Sequence, residues 1–154
     1  MEMTKIESTI IIQRPVAEVF AYLVASQNYP KWSANFEEAK QTSSGSVGVG
    51  TTVWFRMRFF GRRIEGTMEV TQYEPDRRLV VRSTLDPLPF QTWYTLEPTE
   101  SVGTRLDCVS ELKPTGIYAL LDPLIASMGQ RQLEASLQQL KKQLEAPVMA
   151  AAAP

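Results

Sequence analysis

From Phe36 to Pro114 the chain alternates apolar and polar residues, segment after segment, and one long helical pattern follows from Ile117 to Glu145. That order is the strongest constraint on the fold. Alternate side chains of a strand share a face, so each segment carries one apolar and one polar side. Val53, Phe55, Met57 and Phe59 share a face against Arg56 and Arg58; Ile64, Gly66, Met68 and Val70 oppose Arg63, Glu65, Thr67 and Glu69. Leu79, Val81 and Ser83 oppose Arg78 and Arg82; Phe90, Thr92, Tyr94 and Leu96 oppose Trp93 and Glu97. Leu106, Cys108, Ser110 and Leu112 oppose Arg105, Asp107 and Glu111. Such two-sided strands belong to an antiparallel sheet covered on one face. The cover is the terminal helix, whose Leu133, Leu137, Leu140 and Leu144 form an apolar stripe that Leu121, Leu124, Ile125 and Met128 extend.

The preceding residues complete the architecture. Lys5–Gln13 reads as a first strand, rich in Ile and Thr. Pro15 opens a helix that carries Val16, Val19, Phe20 and Leu23 to about Ala25 and breaks at Asn28-Tyr29-Pro30. Lys31–Asn35 is predicted as a second short helical turn bearing Trp32. Phe36–Thr42 is a weak edge strand and Ser43–Gly50 a flexible turn. The start of the long helix falls between Thr115 and Pro123, where Pro123 marks either a kink or the true start. Residues 1–146 read as a single domain, and residues 147–154, alanine and proline without a core pattern, as a disordered tail. The fold class is therefore α+β.

Composition narrows the chemistry. The 154 residues include no histidine and a single cysteine, Cys108. Imidazole-dependent triads, an internal disulfide and the usual structural zinc sites are excluded. Sixteen basic residues balance seventeen acidic ones, a net charge of −1, which gives no footprint for nucleic acid or for an anionic membrane. No apolar run reaches the ~18 residues of a membrane span, and the start shows no signal peptide, so a cytoplasmic protein is expected. The glycines of Ser43–Gly50 do not form a phosphate loop, since no lysine follows and the turn joins two strands.

The inward face includes flexible or polar-tipped residues where a solid core prefers Leu, Ile and Val: Met57, Met68, Ser83, Thr92, Tyr94, Cys108 and Ser110. If the sheet curves strongly, one helix cannot fill its concavity, and an apolar pocket with a few hydroxyls remains. Its lining is expected from Trp32, Phe55, Met57, Met68, Val81, Thr92, Tyr94, Cys108 and Ser110, with Tyr118, Leu121, Ile125 and Met128 from the long helix. Tyr29 is placed near the mouth, and Tyr94 is suited to donate a hydrogen bond to a ligand carbonyl. The charged strand residues Arg56, Arg58, Glu65, Glu69, Arg82, Asp107 and Glu111 face solvent.

The ordered segments Arg14-Pro15-Val16-Ala17-Glu18-Val19-Phe20-Ala21-Tyr22-Leu23, Asn28-Tyr29-Pro30-Lys31-Trp32, Gly48-Val49-Gly50-Thr51, Tyr73-Glu74-Pro75, Gly103-Thr104-Arg105-Leu106 and Leu140-Lys141-Lys142-Gln143-Leu144-Glu145 resemble the START-like, or SRPBCC, superfamily in its polyketide cyclase/dehydrase-like branch. The resemblance implies a helix-grip fold: a curved seven-stranded antiparallel sheet wrapped around a long C-terminal helix, with two short helices after strand 1. It implies a cavity for a small hydrophobic ligand such as a lipid, quinone, polyketide or aromatic molecule, and a gating role for the Ser43–Gly50 loop. Three functions follow: a binding protein, a cyclase/aromatase-type enzyme, and a protein-interaction module. The lack of an inward acid, base or histidine favours the first and names no catalytic residue. No metal or cofactor is called for, and the chain reads as monomer or homodimer.

Overall fold

The computed structural model describes residues 4–146; the expected tail at 147–154 lies outside them. Seven antiparallel strands follow the spatial order β1-β7-β6-β5-β4-β3-β2. They are β1 (Thr4–Ile12), β2 (Phe36–Gln41), β3 (Thr52–Phe59), β4 (Arg62–Glu74), β5 (Arg78–Ser83), β6 (Phe90–Pro98) and β7 (Thr104–Leu112). Helix α1 (Val16–Val24), a 3-10 turn (Ser26–Asn28) and the single-turn α2 (Tyr29–Trp32) carry the chain from one edge strand to the other. Helix α3 (Asp122–Leu144) lies in the concavity of the sheet.

The predicted faces hold. Phe55 and Leu106 are fully enclosed beneath α3, whose Leu137 and Leu140 are equally buried, while Arg56 and Glu69 lie on the outer face. The alternation breaks at two places. β-Bulges interrupt the pairing between Phe36 and Glu38 and between Val70 and Gln72. Each adds one residue to its strand and bends it, the means by which a sheet curls around a helix. Beyond the second bulge the inward phase resumes at Tyr73, which packs edge-on against Phe20 of α1 with ring centres 5.4 Å apart. Val80, on the outer face, is nevertheless buried beside Trp93 of the neighbouring strand.

Helix α3 also closes an open edge. Strand β1 ends the sheet and would present free backbone groups, a template for unwanted pairing. The Gln130 side chain donates to the Glu7 carbonyl (2.8 Å) and accepts from the Glu7 N–H (3.2 Å). Lys141 Nζ donates to the Ile11 carbonyl at 2.7 Å, and the Gln13 N–H donates to Glu145 Oε2 at 2.7 Å. Helix side chains thereby stand in for a missing eighth strand.

Two boundaries differ from the sequence reading. The second short helix is Tyr29–Trp32, not Lys31–Asn35, and the chain leaves helical geometry at Ala25. Pro30 sits in the first turn of α2, where its fixed φ suits a helix and its missing N–H costs nothing. The long helix starts at Asp122 with Pro123 in its first turn, after a 3-10 segment over Gly116–Leu121. Leu121 and Leu124 consequently stay 37% and 46% exposed and do not extend the buried stripe; Ile125 does.

Candidate ligand-binding site

Between the sheet, α2 and α3 lies a partly open cavity of about 140 Å³. Strands β3 to β7 supply Met57, Met68, Val81, Thr92, Tyr94, Cys108 and Ser110 from their inward faces. Helix α2 adds Tyr29 and Trp32, and α3 adds Ile125 and Met128. These predicted residues come together because alternation on neighbouring strands stacks them in rows: Thr92 lies opposite Ser110 and Tyr94 opposite Cys108.

Three predicted residues lie elsewhere. Phe55 is fully buried behind the wall, with its ring 5.3 Å from Phe36 and 5.9 Å from Phe90. Tyr118 stands on the 3-10 segment outside the cavity, against Phe59 and Phe60, and accepts a hydrogen bond from Arg62 at 3.3 Å. Leu121 on the same segment points away, because that segment is not part of α3. The Ser43–Gly50 loop contributes no residue to the lining.

Sequence reasoning missed Phe36, Phe59, Phe60, Leu88, Phe90 and Leu112, as well as Ile6, Ser33, Asn35, Gly129, Gln132, Leu133 and Ser136. Phe60 is half-buried and lines the cavity. It occupies the two-residue turn between β3 and β4 with φ 53°, followed by Gly61 at φ 76°. Two-residue hairpins favour this geometry with Asn or Gly, and a phenylalanine there costs about 1–2 kcal/mol. Its ring is held by Phe59 at 4.9 Å and Tyr118 at 5.6 Å. Arg58, otherwise outward-facing, reaches the rim of the cavity, where its Nε lies 2.7 Å from Glu37 Oε2. The hydrogen bond from Arg58, with the charges of Arg63, Arg58 and Arg56, holds the Glu37 carboxyl below its usual range against a smaller desolvation effect.

Aromatic rings dominate one wall. Trp32 stands edge-on to Tyr29 (6.1 Å) and to Tyr94 (6.4 Å), and Tyr29 stacks on Phe36 at 5.8 Å. The polar groups inside are all uncharged. Thr92 Oγ1 and Ser110 Oγ share a hydrogen bond of 2.7 Å. Ser136 Oγ accepts from the Ala34 N–H at 2.8 Å, which ties α3 to the segment after α2. Burial pushes the Cys108 thiol and the Tyr29 phenol each up to about 12. Burial, and then the nearness of Cys108 and Tyr29, raises Tyr94 well above the ordinary phenol value. None of these groups ionises near neutral pH, so the interior offers hydrogen bonds but no base and no thiolate. Among the described residues no cluster of His, Cys, Asp or Glu could hold a metal, and no helix is long and apolar enough to cross a membrane.

A curved sheet gripping one long helix around an apolar cavity defines a ligand-binding helix-grip fold. Residues 3–145 match the family described as polyketide cyclase/dehydrase and lipid transport, and the chain belongs to that family. Among solved structures, the chain is similar to the Zhui aromatase/cyclase from Streptomyces sp. R1128, at 15% identity and TM-score 0.82, over 98% of this chain and 99% of that one. It is also similar to a START superfamily protein from Mycobacterium smegmatis, at 11% identity and TM-score 0.80, over 94% and 98% of the two chains. A protein from Thermus thermophilus aligns at 18% identity and TM-score 0.78, over 97% and 99%. The helix-grip architecture expected from the sequence is thus present, and the polyketide cyclase/dehydrase branch of the expected resemblance is the family shown. No curated protein matches in sequence.

Proposed function

We propose that this chain is a binding protein for a small hydrophobic molecule, which it holds in the cavity between sheet and α3 without transforming it. The observation that carries this reading is the cavity's lining. Aromatic and aliphatic side chains form most of its walls, and its polar groups, apart from Arg58 at the rim, are hydroxyls, the Asn35 and Gln132 amides, an indole and a thiol, none of which carries a charge at physiological pH. A cyclase must move protons at carbon or oxygen, and that work is most effective from groups with pKa values near the working pH. Arg58, the charged group at the rim, is engaged by Glu37. The similarity to an aromatase/cyclase concerns the fold and leaves the chemistry of this cavity to its own residues.

The test is native mass spectrometry of the protein purified from its own host, followed by extraction of any retained molecule. A stoichiometric apolar compound that the protein returns unchanged is the expected result. A bare protein whose melting temperature ignores lipids, quinones and aromatic polyketides would overturn the proposal and favour an interaction module, for which the exposed Ile117 and Leu120 of the 3-10 segment would be the first surface to probe.

A further inference from the structure

Strand β1 pairs with β7 on one side, and its alternate residues turn their backbone groups to the other. Glu7, Ile11 and Gln13 turn theirs to α3. Gln130 takes both groups of Glu7, Lys141 the Ile11 carbonyl and Glu145 the Gln13 N–H. Thr9 lies midway and points the same way, yet its N–H and C=O have no partner among the described residues, and neither has the Ile11 N–H. Helix α3 does pass this point. Its Glu134, one turn after Gln130, is turned back to Gln130 Nε2 at 2.8 Å. An open groove separates Ser8, Thr9 and Ile10 from Arg131, Glu134, Ala135 and Gln138.

The strand that carries this gap is built to pair. Ser8–Ile12 reads Ser-Thr-Ile-Ile-Ile: mostly β-branched, uncharged and free of proline. Ile11 is 40% exposed on the outer face. An edge of this composition is a template for a further strand. The strand best matched to it is a second β1. With two copies antiparallel about a two-fold axis at Thr9, each Thr9 exchanges both backbone bonds with the other. Glu7 then faces Ile11 of the second copy, and the groups now held by Gln130 and Lys141 pass to the partner strand. No like charges meet in this register. A two-fold at Glu7 would set two carboxylates face to face, which is destabilising. One at Ile11 would set Glu7 against Pro15, which has no N–H to donate.

We propose that Gln130 and Lys141 hold this chain back from pairing with a second copy of itself through β1, and that two copies freed of those side chains join antiparallel about Thr9 into one continuous sheet. This is independent of what the cavity holds.

Sedimentation velocity and hydrogen exchange test it. The parent at low micromolar concentration sediments as a monomer, and its Thr9 and Ile11 amides exchange faster than that of Glu7. The double variant Gln130→Ala/Lys141→Ala forms a dimer as its concentration rises, and its Thr9 and Ile11 amides become protected. Substitutions of Ile11 read the register, because it faces Glu7 of the second copy. In the double-variant background, Ile11→Lys sets opposite charges together at two symmetric places and tightens the dimer by roughly two- to thirtyfold; Ile11→Glu sets like charges together and loosens it by a similar factor. A folded double variant that stays monomeric at millimolar concentration would overturn the proposal. So would a parent that is already dimeric with a protected Thr9 amide. Equal effects of Ile11→Lys and Ile11→Glu would overturn the register about Thr9. The parent's exchange pattern decides the matter even where the double variant does not fold: in the monomer, a Thr9 amide as slow as that of Glu7 would show that the edge has no gap.

Discussion

Gly129 lies in the middle of α3, on the cavity wall, where Ile6 and Leu112 approach the helix. A Cβ placed there would meet Ile6 Cδ1 at 3.2 Å, Leu112 Cδ1 at 3.5 Å and Ile6 Cγ2 at 3.7 Å. Gly129→Ala therefore has two opposed effects on stability. Replacing glycine by alanine inside a helix contributes about 0.8–1 kcal/mol. Against this, the closest contact is with the tip of a flexible isoleucine, which can retreat by a few tenths of an ångström toward the cavity at a cost of a few tenths of a kcal/mol. The net gain is roughly 0.4–0.8 kcal/mol. At ~2.1 cal/mol/K per residue, unfolding the 154-residue chain carries an entropy of about 0.3 kcal/mol/K, so the melting temperature rises by about 1–2.5 °C. The same methyl, and the displaced Ile6, take up cavity space. Losing one methylene's worth of burial costs a filling ligand ~0.8 kcal/mol, about fourfold in affinity. Thermal unfolding by circular dichroism and a calorimetric titration measure both. A drop in melting temperature of about 3 °C or more would show that the Ile6 and Leu112 contacts cannot yield. An unchanged affinity in a stabilised variant would place the ligand somewhere other than beside Gly129.

Three further outcomes follow from the same geometry. Phe55→Ala removes a fully enclosed ring, with a cost of about 3–5 kcal/mol and a fall of roughly 10–15 °C in melting temperature; a loss below ~1 kcal/mol in urea unfolding would contradict its assignment to the core. Phe60→Asn relieves the positive φ at the turn while removing a ring from the mouth. Its melting temperature stays within about 3 °C of the parent's, and stopped-flow release of a bound apolar ligand becomes faster; unchanged release would refute the idea that the Phe60 ring obstructs the ligand's exit. For pH, Tyr29 and Cys108 keep their protons up to about 12 in the folded protein, whereas the unfolded chain releases them near the ordinary values of 10.0 and 9.0. The unfolded state then binds fewer protons than the native state, so the contribution of these two groups to stability is level below about pH 9 and falls between about pH 9 and pH 12. Affinity for a neutral apolar ligand is flat from about pH 6 to pH 9, since Tyr29, Tyr94 and Cys108 stay protonated; a binding curve that titrates near neutrality would point to an ionising group in the cavity.

Much of the architecture was legible because it rests on local periodicity. Period-2 alternation in β3, β4, β6 and β7 identified the inward rows, and hence most of the cavity's strand-borne lining. Alternation is silent about the bulges at Glu37 and Thr71, since a bulge is decided by the partner strand's register. It is equally silent about Val80, whose burial comes from the large Trp93 ring beside it on the outer face. Helix boundaries failed where one residue type suits two roles. Pro30 reads as a breaker but serves as a first-turn residue, and the helix formers Tyr118 to Leu121 sit in a 3-10 segment that follows Gly116 at φ 62°.

The site residues missed share a physical cause. Phe60, Leu88 and Phe90 sit in or beside turns, where direction is set by backbone geometry rather than by period. Gln132, Leu133 and Ser136 lie on a face of α3 whose meeting with the cavity depends on where the helix crosses the sheet, and that crossing depends in turn on the curvature the two bulges impose. Phe55 shows the converse: its inward direction was read correctly, but Phe36 and Phe90 stand between it and the empty space. Direction along a strand is a one-dimensional property that a sequence displays. Depth behind a wall is three-dimensional and emerges only when neighbouring strands are in register. The two tyrosines lie at the junction of these cases. Tyr94 was legible from alternation alone, whereas Tyr29 joined it on the wall only when α2, opened by a proline in its first turn, brought both rings against the same indole.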